Sequence, residues 1–383
     1  MTTVLYVLLA LLLLSLLVVL HELGHFVMGR LLGFTIVEFS VGLGPKLFGI
    51  KGKKTEFTLR LLPIGGSCRF YGEDQEVQDD RCFNAHKAWQ RLLVIVAGPL
   101  MNILTALVLS FVMLLAFGQT IGYGDADQIL ISKVEKGSSA HIAGVEANDV
   151  PLSVDGQAFD SMDTFSAAIK AADPDGLELV VLRGATLTER DVYDDASRTT
   201  TTYLAFTGGE QVTLHVANLR ASGATENRLG IEMSGYYSSY TVQHYNVLTA
   251  AGGSFGYCWG MVKLVYESLW KLVSGQACIS DMAGIGGTVQ IMSEAMESTT
   301  SFAATMEVII YLCALISVNL GVVNLLPIPA LDGGRLVFIL FELIFRKRVP
   351  PEKEGIVHFV GMVLLLLLML ALTVSDLLRC IRG

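Results

Sequence analysis

From Val4 to Leu20 the chain carries no charge and nothing more polar than Tyr6 and Ser15, and the run closes on His21-Glu22-Leu23-Gly24-His25. About 20 helical residues span the roughly 30 Å of hydrocarbon in a bilayer, and this segment is of that length. In a helix the two histidines share one face, one turn above the other. Two imidazoles so placed can hold one zinc ion, and the glutamate between them can take a proton from water that the ion activates. The segment must satisfy its backbone as a helix in lipid, yet a hydrolytic centre beside it needs water.

The rest of the chain agrees with a membrane protein. Of its 383 residues 52% are hydrophobic and only 16% charged, whereas soluble domains run at about a quarter charged. A net charge of -9 argues against a nucleic-acid partner, because a phosphate backbone calls for a basic surface. The six cysteines form no Cys-x-x-Cys pair. They read as small buried apolar residues rather than a disulfide framework or a zinc site. No Lys or Arg precedes the first apolar run and no small-x-small cleavage signal follows it, so it reads as a retained helix.

Three further segments are apolar and long: Leu92 to Phe117, Val308 to Leu326 and Ile356 to Leu372. The second helix carries Gly98-Pro99 and Asn102, and the third carries Ser317, Asn319 and Asn324. Polar groups in a membrane helix usually face a neighbouring helix or a wet cavity. Ten Lys and Arg lie between Arg30 and Arg91, and Arg335, Arg346, Lys347, Arg348 and Lys353 follow the third helix. The positive-inside rule puts both connections in the cytoplasm, with four crossings and both chain ends outside.

Between these helices the character changes twice. Lys54 to Phe70 alternates like a hairpin turning at Pro63-Ile64-Gly65-Gly66, either a surface sheet or an element that dips into the membrane. From Gln119 to about Ala250 the chain is polar, with eighteen Asp and Glu against eight Lys and Arg. Short apolar alternations at Ile129 to Val134, Val150 to Val154, Leu177 to Leu182 and Val212 to Val216 predict a soluble α/β domain. Ala185 to Thr207 reads as a mobile insertion between strands. Val262 to Leu272 predicts an amphipathic helix at the membrane interface, with Trp259 and Trp270 as interfacial aromatics. Ala283 to Gly287 is glycine-rich but lacks the strand and lysine of a phosphate loop.

A catalytic zinc needs three protein ligands and an open position. His86, His141, His215, His244 and His358 are poorly placed for the third. Asp332 is the better candidate. Pro327 and Pro329 break the helix before it, and Gly333 and Gly334 allow a tight backbone after it. The bland alternative is a turn or cap aspartate.

His21 to Phe26, Ala97-Gly98-Pro99-Leu100-Met101-Asn102, and Asn324 through Gly334 resemble the three signatures of the site-2 protease family of intramembrane zinc metalloproteases. The resemblance is closest to the bacterial regulator-of-sigma-E protease (RseP-like) branch. Gly137 to Val145, followed by Asn148-Asp149 and Val154-Asp155-Gly156, resembles a single PDZ domain.

The resemblance implies His21, His25 and Asp332 as zinc ligands, Glu22 as general base, and Asn324 beside the substrate backbone and oxyanion. It implies Asn102 as a helix-packing residue near the site. Leu59 to Tyr71 matches a membrane-associated hairpin that pairs with an extended substrate (residues 57–71 have the character for it), and Gly42 and Gly44 match a glycine pair in the preceding hairpin.

The fold implied is a multi-pass α-helical membrane protein of about four transmembrane helices, with a membrane-associated β-hairpin and one extracytoplasmic PDZ-like α/β domain. Its parts are helix 1 at 1–30, the hairpin region at 31–91, helix 2 at 92–118, and the PDZ-like domain at 119–240. Amphipathic interfacial helices follow at 241–303, helix 3 at 304–334, a cytoplasmic loop at 335–355 and helix 4 at 356–383.

The function implied is cleavage of transmembrane segments, of the anti-sigma factor or remnant signal peptide class, by a Zn2+ enzyme. It would sit in a bacterial plasma membrane with its active site near the cytoplasmic side. The partners are transmembrane substrates and the lipid bilayer, with the PDZ-like domain gating access. The chain departs from the family in lacking a proline in Ala283 to Gly286 and in placing Pro151 after Val150. Two other readings stand beside this one: a peptide-binding membrane scaffold without cleavage, and a metal transporter.

Overall fold

The computed structural model describes residues 2–73, 79–124, 128–159, 161–220, 227–276, 285–297, 299, 301–350, 353–364 and 366–367. The chain divides into two units, Met1–Ala116 with Val247–Gly383, and Phe117–Asn246.

The first helix, α1, runs Thr2–Leu31. It continues ten residues past His21, about 15 Å of rise, so the histidine pair lies inside the helix and not at its end. Water must therefore reach the pair from between elements. The second helix, α2, spans Ala88–Ala116 with Pro99 inside it.

Between them lie β1 (Ile36–Lys51) and β2 (Glu56–Phe70). They form one long antiparallel hairpin from Ile36 facing Phe70 to Lys51 facing Glu56. The turn is therefore at 52–55, and Pro63 to Gly66, expected as a turn, lies within β2. The physical reason is a bend in both strands. Gly42, Gly44 and Gly65 all take φ between 86° and 89°, a region side chains disfavour. The hairpin folds back there, so that Glu38 to Val41 also lie beside Glu56 to Leu59. Glu38 ties the fold-back together. It accepts from the Thr58 hydroxyl at 2.7 Å and pairs with Arg60 at 2.8 Å and Arg69 at 3.1 Å. Burial opposes its ionisation, but these donors outweigh that and hold its carboxyl below the ordinary value. Phe48, Ile50, Leu59 and Leu61 remain exposed on the hairpin. Its base is anchored by Phe34, Ile36 and Phe70, in a cluster with Val94 and Ile95 of α2.

The unit Phe117–Asn246 has its own core, with Ile131, Phe165, Leu179 and Val181 fully buried. Its elements begin with β3 (Gln119–Tyr123), β4 (Gln128–Val134), α3 (Ser139–Ala143), β5 (Val150–Val154), β6 (Gln157–Ala158), α4 (Met162–Ala171) and β7 (Gly176–Arg183). Then come β8 (Thr186–Asp194), β9 (Thr199–Thr207), β10 (Glu210–Ala217), β11 (Ile231–Tyr236) and β12 (Ser239–Gln243). The four apolar alternations noted above are β4, β5, β7 and β10. Strands order as β10-β7-β5-β6, β11-β4 and β3-β12-β9-β8. Ala185 to Thr207, expected as a mobile insertion, is instead a regular hairpin. All nine residues of β8 pair with β9, and β9 pairs with β12. Its run of β-branched threonines suits a pleated surface.

The chain then returns to the first unit with α5 (Val247–Val273), α6 (Ile285–Glu297), α7 (Phe302–Asn324) and α8 (Asp332–Phe345). Among the described residues three helices are long and apolar enough to cross a membrane: Val4–Leu31, Ala88–Ala116 and Phe302–Asn324. The expected fourth crossing is helical over 353–364, and its remainder beyond 367 lies outside the described residues. Ala283 and Gly284 also lie outside them.

One region differs from expectation. The stretch 335–355, expected as a cytoplasmic loop, is helical as far as Phe345 because its residues carry an apolar face at helical spacing. Helix α5 buries Cys258, Met261, Val262 and Val265 against Ala106 of α2 and Ala314, Val318 and Val322 of α7. Its outward side exposes Leu248, Phe255, Trp259, Tyr266 and Trp270 and, directly opposite the buried face, Lys263, Glu267 and Lys271, so the expected amphipathic spacing is present in a helix that packs lengthwise against two of the three long apolar helices.

Candidate metal centre

Three elements bring one donor each to a common point. His21 and His25 project from one face of α1, both 8% exposed. Asp332 is the first residue of α8, where a helix N-terminus favours a carboxylate. Its Oδ2 lies 3.0 Å from His21 Nε2 and 3.4 Å from His25 Nε2, and the two Nε2 atoms are 3.2 Å apart. These three residues form a group able to hold a metal ion.

The donor set fits zinc on its own geometry. Tetrahedral bonds of about 2.0–2.1 Å place neighbouring ligand atoms roughly 3.3 Å apart, as found here. The Asp332 Oδ2 atom is buried, with the two Nε2 atoms at 3.0 and 3.4 Å and no other polar partner among the described residues. A buried oxygen left this way calls for a cation or a donor that the protein does not supply.

The loop into Asp332 depends on its glycines. A Cβ on Gly334 would sit 2.6 Å from the Ile328 carbonyl oxygen, and one on Gly333 would strike the Leu325 and Leu326 backbone. The chain after the two prolines thus wraps over the start of α8.

The family comparison matches the Peptidase family M50 description over residues 9–368. The chain belongs to peptidase family M50. It is a zinc metalloprotease, and the family places that activity within membranes. It is similar to the regulator of sigma-W protease RasP of Bacillus subtilis, 27% identical with 95% of this chain and 96% of that one covered. It is likewise similar to the zinc metalloprotease RasP of Bacillus licheniformis, at 26% with 95% and 96% covered. A Clostridium perfringens relative is 32% identical over 97% of this chain and 98% of its own.

Around the donors of this M50 peptidase lie the residues that hold them in place. His25 Nδ1 donates to the Val94 carbonyl at 2.8 Å, which turns its Nε2 toward the centre. Gly98 of α2 lies flat against the His25 ring, and Gly24 of α1 against the Ala97 carbonyl, with no space for a Cβ at either. The sequence marked both glycines and Asn102 through the signatures His21 to Phe26 and Ala97 to Asn102, and missed Val94. The Asn102 amide sits 3.2 Å from His21 Nδ1.

Glu22, one residue on from His21, is half-buried beside β2. A Cβ on Gly66 would lie 3.1 Å from its Cγ, and the Cys68 backbone N–H faces its carboxylate. Asn324 ends α7, half-buried, and its side chain has no hydrogen-bond partner among the described residues. The other histidines lie elsewhere. His86 stacks on Phe34, and His358 accepts from the Ala330 backbone at 3.0 Å.

Proposed function

We propose that His21, His25 and Asp332 hold the zinc, that Glu22 is the general base, and that the enzyme cleaves transmembrane segments of membrane proteins. The convergence of the three donors on one buried point, with Glu22 one residue away, carries this reading. When bound, zinc supplies Lewis acidity toward the scissile carbonyl and toward water. Glu22 takes a proton from the attacking water and passes it to the leaving amine. Asn324 donates a hydrogen bond to the substrate backbone or the developing oxyanion.

A helical substrate hides its peptide bonds and must unwind before it is cut. Strand addition to the hairpin, residues 57–71, would satisfy the freed backbone groups. The exposed apolar side chains of this hairpin support that role. The substrates are of the anti-sigma factor or remnant signal peptide class, a reading supported by similarity to a protein named as a regulator of sigma-W protease. The active site faces the cytoplasmic side, as the basic connections suggest. The PDZ-like part, 119–240, screens substrates.

Glu22→Gln should retain about one zinc per chain while losing 10²- to 10⁴-fold in cleavage, and Asp332→Ala should lose the metal. Comparative proteomics of membranes holding active protein or the Glu22→Gln variant should show intact substrates only in the variant. Cleavage by Glu22→Gln at the normal rate, or full zinc content in Asp332→Ala, would overturn the assignment.

A further inference from the structure

We infer that Asn102 is a positioning residue that selects the metal-binding tautomer of His21 by turning its side-chain amide. Asn102 is fully buried on α2, and its backbone carbonyl accepts from the Ser317 hydroxyl at 2.8 Å. Its Nδ2 lies 3.2 Å from His21 Nδ1, and its Oδ1 is buried with no partner among the described residues.

A neutral imidazole carries one proton, and the partner of one ring nitrogen decides which nitrogen holds it. With Asn102 Nδ2 donating to His21 Nδ1, that proton sits on Nε2 and His21 has no lone pair facing the centre.

Metal binding requires the opposite tautomer at His21 and no change at His25. The His25 partner is a backbone carbonyl, which can only accept, so its Nδ1 always carries the proton. The His21 partner is an amide, which can accept or donate. A half-turn of the Asn102 side chain presents Oδ1 to His21 Nδ1–H and frees Nε2 for the ion. One proton moves from Nε2 to Nδ1 of the same ring and none is lost. A purely structural asparagine would not need this ambivalence. The buried, unpartnered Oδ1 is the acceptor that this orientation would use.

The inference rests on His21 being a zinc ligand, and its test separates the two ideas. Zinc affinity is measured on the full-length protein in detergent by competition with a chromophoric chelator, alongside the visible spectrum of the Co2+-loaded protein. Asn102→Leu, similar in size and without the amide, should weaken zinc binding by about 10- to 100-fold and alter the Co2+ spectrum. Asn102→Ala gives the same measurement if the leucine does not fold. Asn102→Asp, which only accepts, should bind zinc as tightly as the native protein or more so. A packing role predicts the reverse order, with leucine mild and aspartate damaging. Native affinity in Asn102→Leu or Asn102→Ala, or equal losses in the leucine and aspartate variants, would overturn the inference alone. Failure of the native protein to take up zinc would overturn the proposed centre and this inference with it.

Discussion

His25 rests against Gly98 so closely that no side chain fits between them. A Cβ on Gly98 would come within 2.5 Å of the imidazole Cε1 and 2.8 Å of Cδ2. The contact fixes the ring from one side while the Val94 carbonyl fixes it from the edge. Together they leave Nε2 one direction to face, toward His21 and Asp332.

Gly98→Ala should therefore displace the His25 ring. We expect at least a tenfold loss in zinc affinity, in the range of about 10- to 100-fold seen when a ligand loses its support. Chelator competition on purified protein measures it. Retention of native affinity would mean that α2 shifts aside without moving the histidine.

Arg91 of α2 and Glu342 of α8 pair at 2.7 Å, with the arginine side chain only 6% exposed. This pair joins α2 to the helix that Asp332 begins. Glu342→Leu strands a buried guanidinium and should cost about 3–5 kcal/mol. Replacing both, with Arg91→Met added, should recover part of that loss. Thermal unfolding of the single and double variants compares them, and a double variant no more stable than the single would refute the pairing argument.

Glu38 gives the hairpin a pH dependence. Its folded pKa is held below the ordinary value. Its contribution to stability is therefore full above the unfolded carboxylate pKa of about 4.3, and is lost as pH falls through the lower folded value. Hydrogen exchange of residues 36–60, corrected for intrinsic rates, should rise on acidification in the native protein. In Glu38→Gln it should already be raised at neutral pH and change less.

Zinc should stabilise the native protein in proportion to the logarithm of its concentration above Kd, about 2.7 kcal/mol at a hundredfold excess. The melting temperature in detergent should rise with zinc and fall with chelator. In Asp332→Ala both responses should vanish.

Much of this protein was legible in the chain. Spacing of four puts His21 and His25 on one helix face whatever surrounds them, because that relation depends only on helix geometry. Apolar length alone marks α1, α2 and α7 as able to cross a membrane. Prolines and glycines around Asp332 announced a break, since their backbone preferences are local. The four strands of the Phe117–Asn246 unit found from alternation are likewise a matter of period two.

Tertiary structure alone decided how those pieces become a centre. The partners of the histidines lie 69 and 81 residues away in sequence, at Val94 and Asn102, and no local pattern links residues so far apart. The hairpin's turn was misplaced because its fold-back at Gly42 and Gly44 depends on pairing with β2 rather than on turn residues. The third donor, 311 positions from His21, arrives only because α8 packs against α2. Helix geometry made two of the proposed ligands neighbours, and packing between helices brought the third to them.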